Sequence, residues 1–125
     1  MMNPAALAYI GDAVYEVHVR EHVLATGQTK ARQLHFMSVD YVKAASQAKA
    51  LREMMGGYLT GEEMSQAKRA RNHGSSSVPR HADPVDYKMA TAFEALVGYL
   101  YLRGDRKRME DIIGEAIRII EEEKP

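Results

Sequence analysis

Apolar positions along this chain recur at helical spacing, and no stretch alternates with the period of two that marks a half-buried strand. Asn3-Pro4 is a good helix start, an N-cap followed by proline at the first helical position. Leu7, Ile10, Val14, Val17 and Leu24 then repeat at helical intervals up to Gly27. A short helix is expected over Lys30 to Met37. Ser38 can cap the next, which runs to about Met55 with Val42, Ala45, Ala48 and Leu51 facing inward, until Gly56-Gly57 stops it. Thr60 and Glu63 have capping-box spacing and open a helix ending near Asn72. The stretch NHGSSSVPRHADP reads as a loop. Asp83-Pro84 starts a helix carrying Met89, Phe93, Leu96 and Leu100 to Gly104. Asp105 caps the last one, whose Met109, Ile112, Ile113, Ala116, Ile117 and Ile120 form an amphipathic stripe. The expected fold is an all-α bundle of about six or seven helices.

Composition narrows this picture. A chain of 125 residues, 46% of them apolar, suits a single domain spanning residues 1–125 around one core. No apolar run reaches the ~18 residues of a membrane span, and no basic segment precedes the first apolar stretch as in a signal peptide. The absence of cysteine excludes disulfides and thiolate metal sites, so a cytoplasmic location is expected. Net charge is zero, which gives no global attraction to nucleic acid. The charges are nevertheless unevenly distributed. Lys68, Arg69, Arg71, Arg80 and Lys88 outnumber the acids between residues 65 and 90, while acidic groups dominate the C-terminal stretch from Glu110.

Two carboxylates stand out. Asp12 is the only charged side chain between Asn3 and Tyr15, and Glu94 the only one between Ala90 and Leu102. A helix apolar on nearly every face is buried on nearly every face, and an unpaired buried carboxylate is costly. Gly11 and Gly98 lie near them, and a glycine inside a helix costs about 1 kcal/mol against alanine. That cost is understandable if the two helices cross closely there and bring Asp12 and Glu94 together. Adjacent carboxylates repel, so a proton or a cation must resolve them. A hard ion such as Mg²⁺ takes oxygen ligands of this kind and can activate water for phosphodiester cleavage. A structural reading stands beside this one. Asp12 can pair with a basic group such as Arg20, and Glu94 with Lys88 or the hydroxyls of Tyr99 or Tyr101. Glu16, one turn after Asp12, can support the site or lie at the surface. His18 and His22 have a metal-clamping spacing, but no HExxH pattern accompanies them. Ser75 to Ser77 lack a GxSxG turn and read as loop.

The segments YIGDAV and AFEALVGYLYL resemble the two signature motifs of the ribonuclease III catalytic domain, FLGDAV and AFEALIGAIYLD. The length, the lack of a double-stranded RNA-binding domain, and the phrases LAYIGDAVYEVHVR, KRARN and TAFEALVGYLYL resemble the Mini-III branch of that family. The resemblance implies an all-helical homodimer that cleaves double-stranded RNA with Mg²⁺, each subunit cutting one strand to leave a 5′-phosphate and a 3′-hydroxyl. It implies that Asp12 and Glu94 are the catalytic, metal-holding carboxylates. In the Mini-III branch the implied substrate is the 23S ribosomal RNA precursor, with a ribosomal protein as a further candidate partner. Two acidic positions of the general pattern are absent: Ala8 stands one turn before Asp12, and Thr91, a candidate supporting residue with Glu16, stands three residues before Glu94. One well-held Mg²⁺ per subunit is therefore expected. A rival reading, motivated by those losses, is an RNA- or ribosome-binding module that keeps the fold without cutting. A third is a purely structural helical dimer.

RNA contacts are expected from Lys68, Arg69, Arg71, Asn72 and Arg80, because duplex RNA is held through phosphates, 2′-hydroxyls and shape. Favourable placement at a helix C-terminus is the alternative explanation of the first three. The loop over residues 74–82 is expected to be mobile until RNA binds. Arg103, Arg106, Lys107 and Arg108 are open to two readings, phosphate contacts or a solvated turn. Met37, Tyr41, Met54, Met55 and Tyr58 can supply an apolar dimer interface.

Overall fold

The computed structural model describes residues 2–73 and 78–122. It is all-α, with six helices: α1 (Pro4–Leu24), α2 (Ala31–Val42), α3 (Ala44–Met54), α4 (Gly61–Asn72), α5 (Pro84–Arg103) and α6 (Arg106–Glu122). No strand occurs among the described residues. The serines at 75–77 lie outside them.

The caps predicted at Asn3, Thr60 and Asp83 form. Asn3 Oδ1 accepts from the Ala5 N–H at 2.7 Å. Thr60 and Glu63 make both bonds of a capping box, at 2.9 and 3.2 Å. Asp83 Oδ1 accepts from the Val85 and Asp86 N–H groups. Gly104 ends α5 in the left-handed region, φ 84°, which glycine enters without a Cβ clash.

α5 is the axis of the bundle. It packs on α1 most extensively, then on α3, α4 and α6. Its apolar residues face inward nearly all round, with Phe93, Leu96 and Val97 fully buried. The fully buried Tyr15 meets Phe93 edge-on at 5.0 Å between ring centres, and its hydroxyl donates to the Tyr41 carbonyl at 2.8 Å.

Three local expectations change. First, the break between the second and third helices falls at Lys43 rather than Ser38. Ser38 Oγ donates back to the Leu34 carbonyl at 2.8 Å, so the hydroxyl is satisfied inside a continuous helix. The Gln47 amide instead captures the Val42 carbonyl at 2.8 Å, which closes the end of α2. Second, Ala45 is exposed, and the inward face of α3 is Gln47, Ala48, Ala50, Leu51 and Met54. Third, the buried face of α1 is Leu7, Gly11, Tyr15, Val19 and Val23. Val17 and Leu24 are outside, 55% and 53% exposed. Unlike α5, α1 is thus apolar on a face that its own chain leaves uncovered.

Candidate active site

The close crossing of α1 and α5 is built on the two glycines. A Cβ on Gly11 would overlap the Glu94 carbonyl, and a Cβ on Gly98 would overlap the Leu7 carbonyl. Each helix therefore presses backbone to backbone on the other at two points one turn apart. Any other residue at either point would force the helices apart. This approach brings the Asp12 and Glu94 carboxyl groups within hydrogen-bonding reach of one another.

Their surroundings differ. Asp12 is exposed, because its side of α1 faces outward, whereas Glu94 is half-buried. Burial, and then the negative charge of Asp12, push the Glu94 carboxyl up to about 8. The Gln47 side chain, from α3, works on Glu94 in the opposite direction. Gln47 itself is buried, 2% exposed, and its Oε1 has no hydrogen-bond partner among the described residues. No ion pair among the described residues engages Asp12 or Glu94. Two of the candidate structural partners are occupied elsewhere: Arg20 bonds Glu16 at 3.2 Å, and the Tyr99 hydroxyl donates to Glu62. Two converging oxygen donors of like charge, with no counter-cation and an open space beside them, form a donor set suited to one hard divalent ion.

That space is a cavity of about 270 Å³, lined by Asp12, Glu94, Tyr9, Lys88, His73 and Tyr87, together with Ala8 and Thr91. The two positions without a carboxylate thus line the same cavity as the two that have one. The Thr91 hydroxyl donates to the Tyr87 carbonyl at 2.9 Å, within its own helix. Glu16 lines a different groove with Arg20, Leu34 and Val39, yet its charge still reaches Glu94.

A second groove adjoins the cavity, lined by Arg71, Asn72, His73 and Lys88. It joins the end of α4 to the start of α5, and two of the residues expected to contact RNA, Arg71 and Asn72, therefore lie in a groove that shares His73 and Lys88 with the cavity. Arg71 Nε donates to Asn72 Oδ1 at 3.1 Å, and Lys68 is exposed. Arg69 is half-buried and donates to the Met2 carbonyl at 3.1 Å, which ties α4 to the N-terminus. Arg80 sits exposed in a turn closed by the Ala82 N–H on the Pro79 carbonyl. The expectation of a mobile loop falls in part on residues 74–77, outside the described residues.

Of the basic residues around the start of α6, Arg103, Arg106 and Lys107 are exposed, as the solvated-turn reading expects, while Arg108 departs from it. Arg108 makes a two-pronged ion pair with the buried Glu63, at 2.8 and 2.9 Å, and also donates to the Tyr58 carbonyl. Arg103 bonds Glu62 and Tyr99, and Arg106 lies over the Tyr101 ring at 4.4 Å. The two histidines of α1 separate as well: His18 bonds the Val14 carbonyl and His22 bonds Glu121 at 2.6 Å. Tyr41 and Met54 are buried, and Met37, Met55 and Tyr58 pack against the core, so these residues serve the interior. Besides Tyr9, the large uncovered apolar side chains on α1 and α2 are Val17, Leu24, Phe36 and Val39.

Sequence reasoning missed Gln47, Lys88 as a cavity residue, and Tyr9, which is 85% exposed at the cavity rim. Gln47 left only a faint trace, a glutamine among the alanines of α3.

Comparison with known proteins agrees with this geometry. The family profile described as the ribonuclease III domain matches residues 5–105. The chain is 46% identical to the Mini-ribonuclease 3 of Brevibacillus brevis over 98% of its own length and 91% of that protein. It is 42% identical to the Mini-ribonuclease 3 of Enterococcus faecalis over 97% of its length and 92% of that protein. Among solved structures, a crystal structure of a Fusobacterium nucleatum protein superposes with a TM-score of 0.83 at 29% identity, covering 93% of this chain and 92% of that one.

Proposed function

The chain belongs to the ribonuclease III family, and from that premise we propose that it is a Mg²⁺-dependent endoribonuclease that cuts double-stranded RNA and matures the 23S ribosomal RNA precursor. The observation that carries this reading is the meeting of Asp12 and Glu94 at the glycine-mediated crossing of α1 and α5, without a protein cation between them. Membership of the family alone does not require the site to be intact. The convergence of its two carboxylates on a cavity large enough for a phosphate supports an intact one.

In this mechanism Asp12 and Glu94 hold the ion. When bound, Mg²⁺ supplies positive charge to the phosphate and acidifies water. The chain's own work is positional. The backbone contacts at Gly11 and Gly98 fix the separation of the carboxylates, and the Gln47 amide sets the orientation of Glu94. Lys68, Arg71, Asn72 and Arg80 take the RNA backbone, with Arg71 and Asn72 in the groove beside the cavity. Arg69, which also holds the Met2 carbonyl, lies on the same helix end.

One carboxylate pair cuts one strand, so a two-fold dimer would address both. The face of α1 and α2 bearing Val17, Leu24, Phe36 and Val39 is the apolar surface left for it. The direct test is a gel assay with duplex RNA, Mg²⁺ and an EDTA control, run on the wild type and on Asp12→Asn. EDTA-sensitive cutting that Asp12→Asn abolishes, with folding and RNA binding kept, is the expected result. Binding without cutting would favour the non-catalytic reading.

A further inference from the structure

On this reading the negative charges in the active site outnumber the positive ones. One divalent ion is balanced by Asp12 and Glu94. Among the described residues, no group of three or more acidic or histidine side chains is placed to hold a further ion. The phosphodiester then brings one negative charge, and the attacking hydroxide another. A transition state with that surplus in a partly closed cavity needs a further cation.

Lys88 stands there. It is the one lysine or arginine among the described residues lining the cavity of Asp12 and Glu94, and it also lines the adjoining groove of Arg71 and Asn72. It lies on the first turns of α5, one turn before Thr91 and two before Glu94. Its residue is exposed, and it takes part in no ion pair or hydrogen bond among the described residues, whereas Lys107 and Arg108 are engaged by acids. A free ammonium close to two carboxylates, yet paired with neither, is placed for a third anion.

We propose that Lys88 is a catalytic residue whose ammonium binds a non-bridging oxygen of the scissile phosphate beside the Asp12–Glu94 pair. The proposal rests on the nuclease reading above. In the step it assists, a water oxygen forms a bond to phosphorus and the P–O3′ bond breaks. The water loses a proton to solvent and the leaving 3′-oxygen gains one. Lys88 stays protonated throughout, so its part is charge and position.

The test uses the full chain with Lys88→Met and Lys88→Arg. Both replacements are good helix formers at an exposed position, so folding is preserved. With enzyme in excess over a short duplex RNA and Mg²⁺ present, Lys88→Met should cut about 100-fold more slowly, as for the loss of one preorganised charge contact. Lys88→Arg should recover most of the rate. Duplex binding measured in EDTA should change by less than about threefold, the effect of one phosphate contact among several. Calorimetric Mg²⁺ binding to the RNA-free protein should tighten about threefold in Lys88→Met, because a repelling charge has been removed. Slower cutting together with tighter metal binding is a pattern that a purely structural lysine does not produce. An unchanged rate, a rate restored by raising enzyme concentration, or Mg²⁺ binding that does not tighten would each overturn the assignment. A wild type that binds duplex RNA without cutting it would remove the nuclease reading and this assignment together, whereas a cutting wild type with an unaffected Lys88→Met removes only the second.

Discussion

Two glutamates reach the interior of this bundle, and they are treated in opposite ways. Glu63, on α4, is 4% exposed and fully partnered: Arg108 grips both of its oxygens, and the Thr60 backbone N–H adds a third bond. The Arg108 guanidinium holds its carboxyl below the usual range. Glu94, on α5, has no cation, has Asp12 as a neighbour, and is pushed up to about 8 by burial and that neighbour. The fold has an arginine that satisfies one buried carboxylate and gives the other a glutamine and a second acid. A carboxylate kept solely for stability is paired as Glu63 is. One left as Glu94 is left fits the proposed metal-holding role, and of the structural partners considered for it Tyr99 is occupied elsewhere.

Exchanging each glutamate for glutamine sharpens this contrast most. Glu94→Gln should reduce cleavage by on the order of 10³-fold, since metal-ion charge stabilisation is worth several kcal/mol, while leaving the fold at least as stable. Glu63→Gln should reverse the pattern, with a lowered melting temperature and cleavage retained. Cleavage assays and thermal denaturation on both variants check it; a loss of cleavage confined to Glu63→Gln would break the comparison. Next in size is Gly11→Ala. The added methyl meets the Glu94 backbone, so we expect a loss of about 3 kcal/mol and a disturbed site. Gly114→Ala, with open space around the added methyl in α6, should instead stabilise by up to ~1 kcal/mol. Chemical denaturation of the two variants reads both signs.

The crossing at Gly11 and Gly98 was legible in the sequence, because a glycine beside a lone charge in an apolar helix has few explanations. So was the meeting of Asp12 and Glu94 in space; their catalytic role remains part of the proposed function. The caps at Asn3, Thr60 and Asp83 were legible because capping is a local interaction between residues two or three apart. The break at Lys43 was not, since the group that satisfies the end of α2 is the side chain of Gln47, five residues on and in the next helix. Nor was the role of Arg108, whose partner Glu63 is 45 positions away. A sequence shows that an arginine is present, but not which carboxylate the bundle will place beside it. The outward apolar face of α1 was misjudged for the same reason: hydrophobic spacing says that a face is covered, and not by which chain.

Arg108→Met tests the satisfied side of the comparison. It leaves Glu63 buried with its capping bonds but without its cation. Arg108 is itself about a quarter exposed, so water returns part of the loss, and we expect a cost of about 2 kcal/mol, below the ~3–5 kcal/mol of a fully buried pair. The double variant Arg108→Met with Glu63→Gln should recover part of this, because the stranded charge is gone. Equilibrium unfolding of the three proteins gives the coupling, and strict additivity would show that the pair is unimportant.

The smallest effect, and the most discriminating, is the dependence of stability on pH in EDTA. Glu94 has a folded value near 8, above that of an unfolded glutamate. Between those two values the folded state binds the proton that the unfolded state has released. Rising pH therefore removes stability through this group, and the loss is complete above about pH 8. Glu63 has the opposite sign: its carboxyl is held low, so its contribution is present above the ordinary carboxylate range and disappears as pH falls through its depressed value. The melting temperature of the wild type should therefore fall behind that of Glu94→Gln by a few degrees between about pH 5 and pH 8. Saturating Mg²⁺ should close the gap, since the ion favours the ionised carboxylates and binds only the folded chain. Glu63→Gln should diverge from the wild type in the other direction, and Mg²⁺ should not affect that difference. If Mg²⁺ leaves the Glu94 gap unchanged, the site is a strained structural pair and the distinction between the two glutamates is one of packing alone.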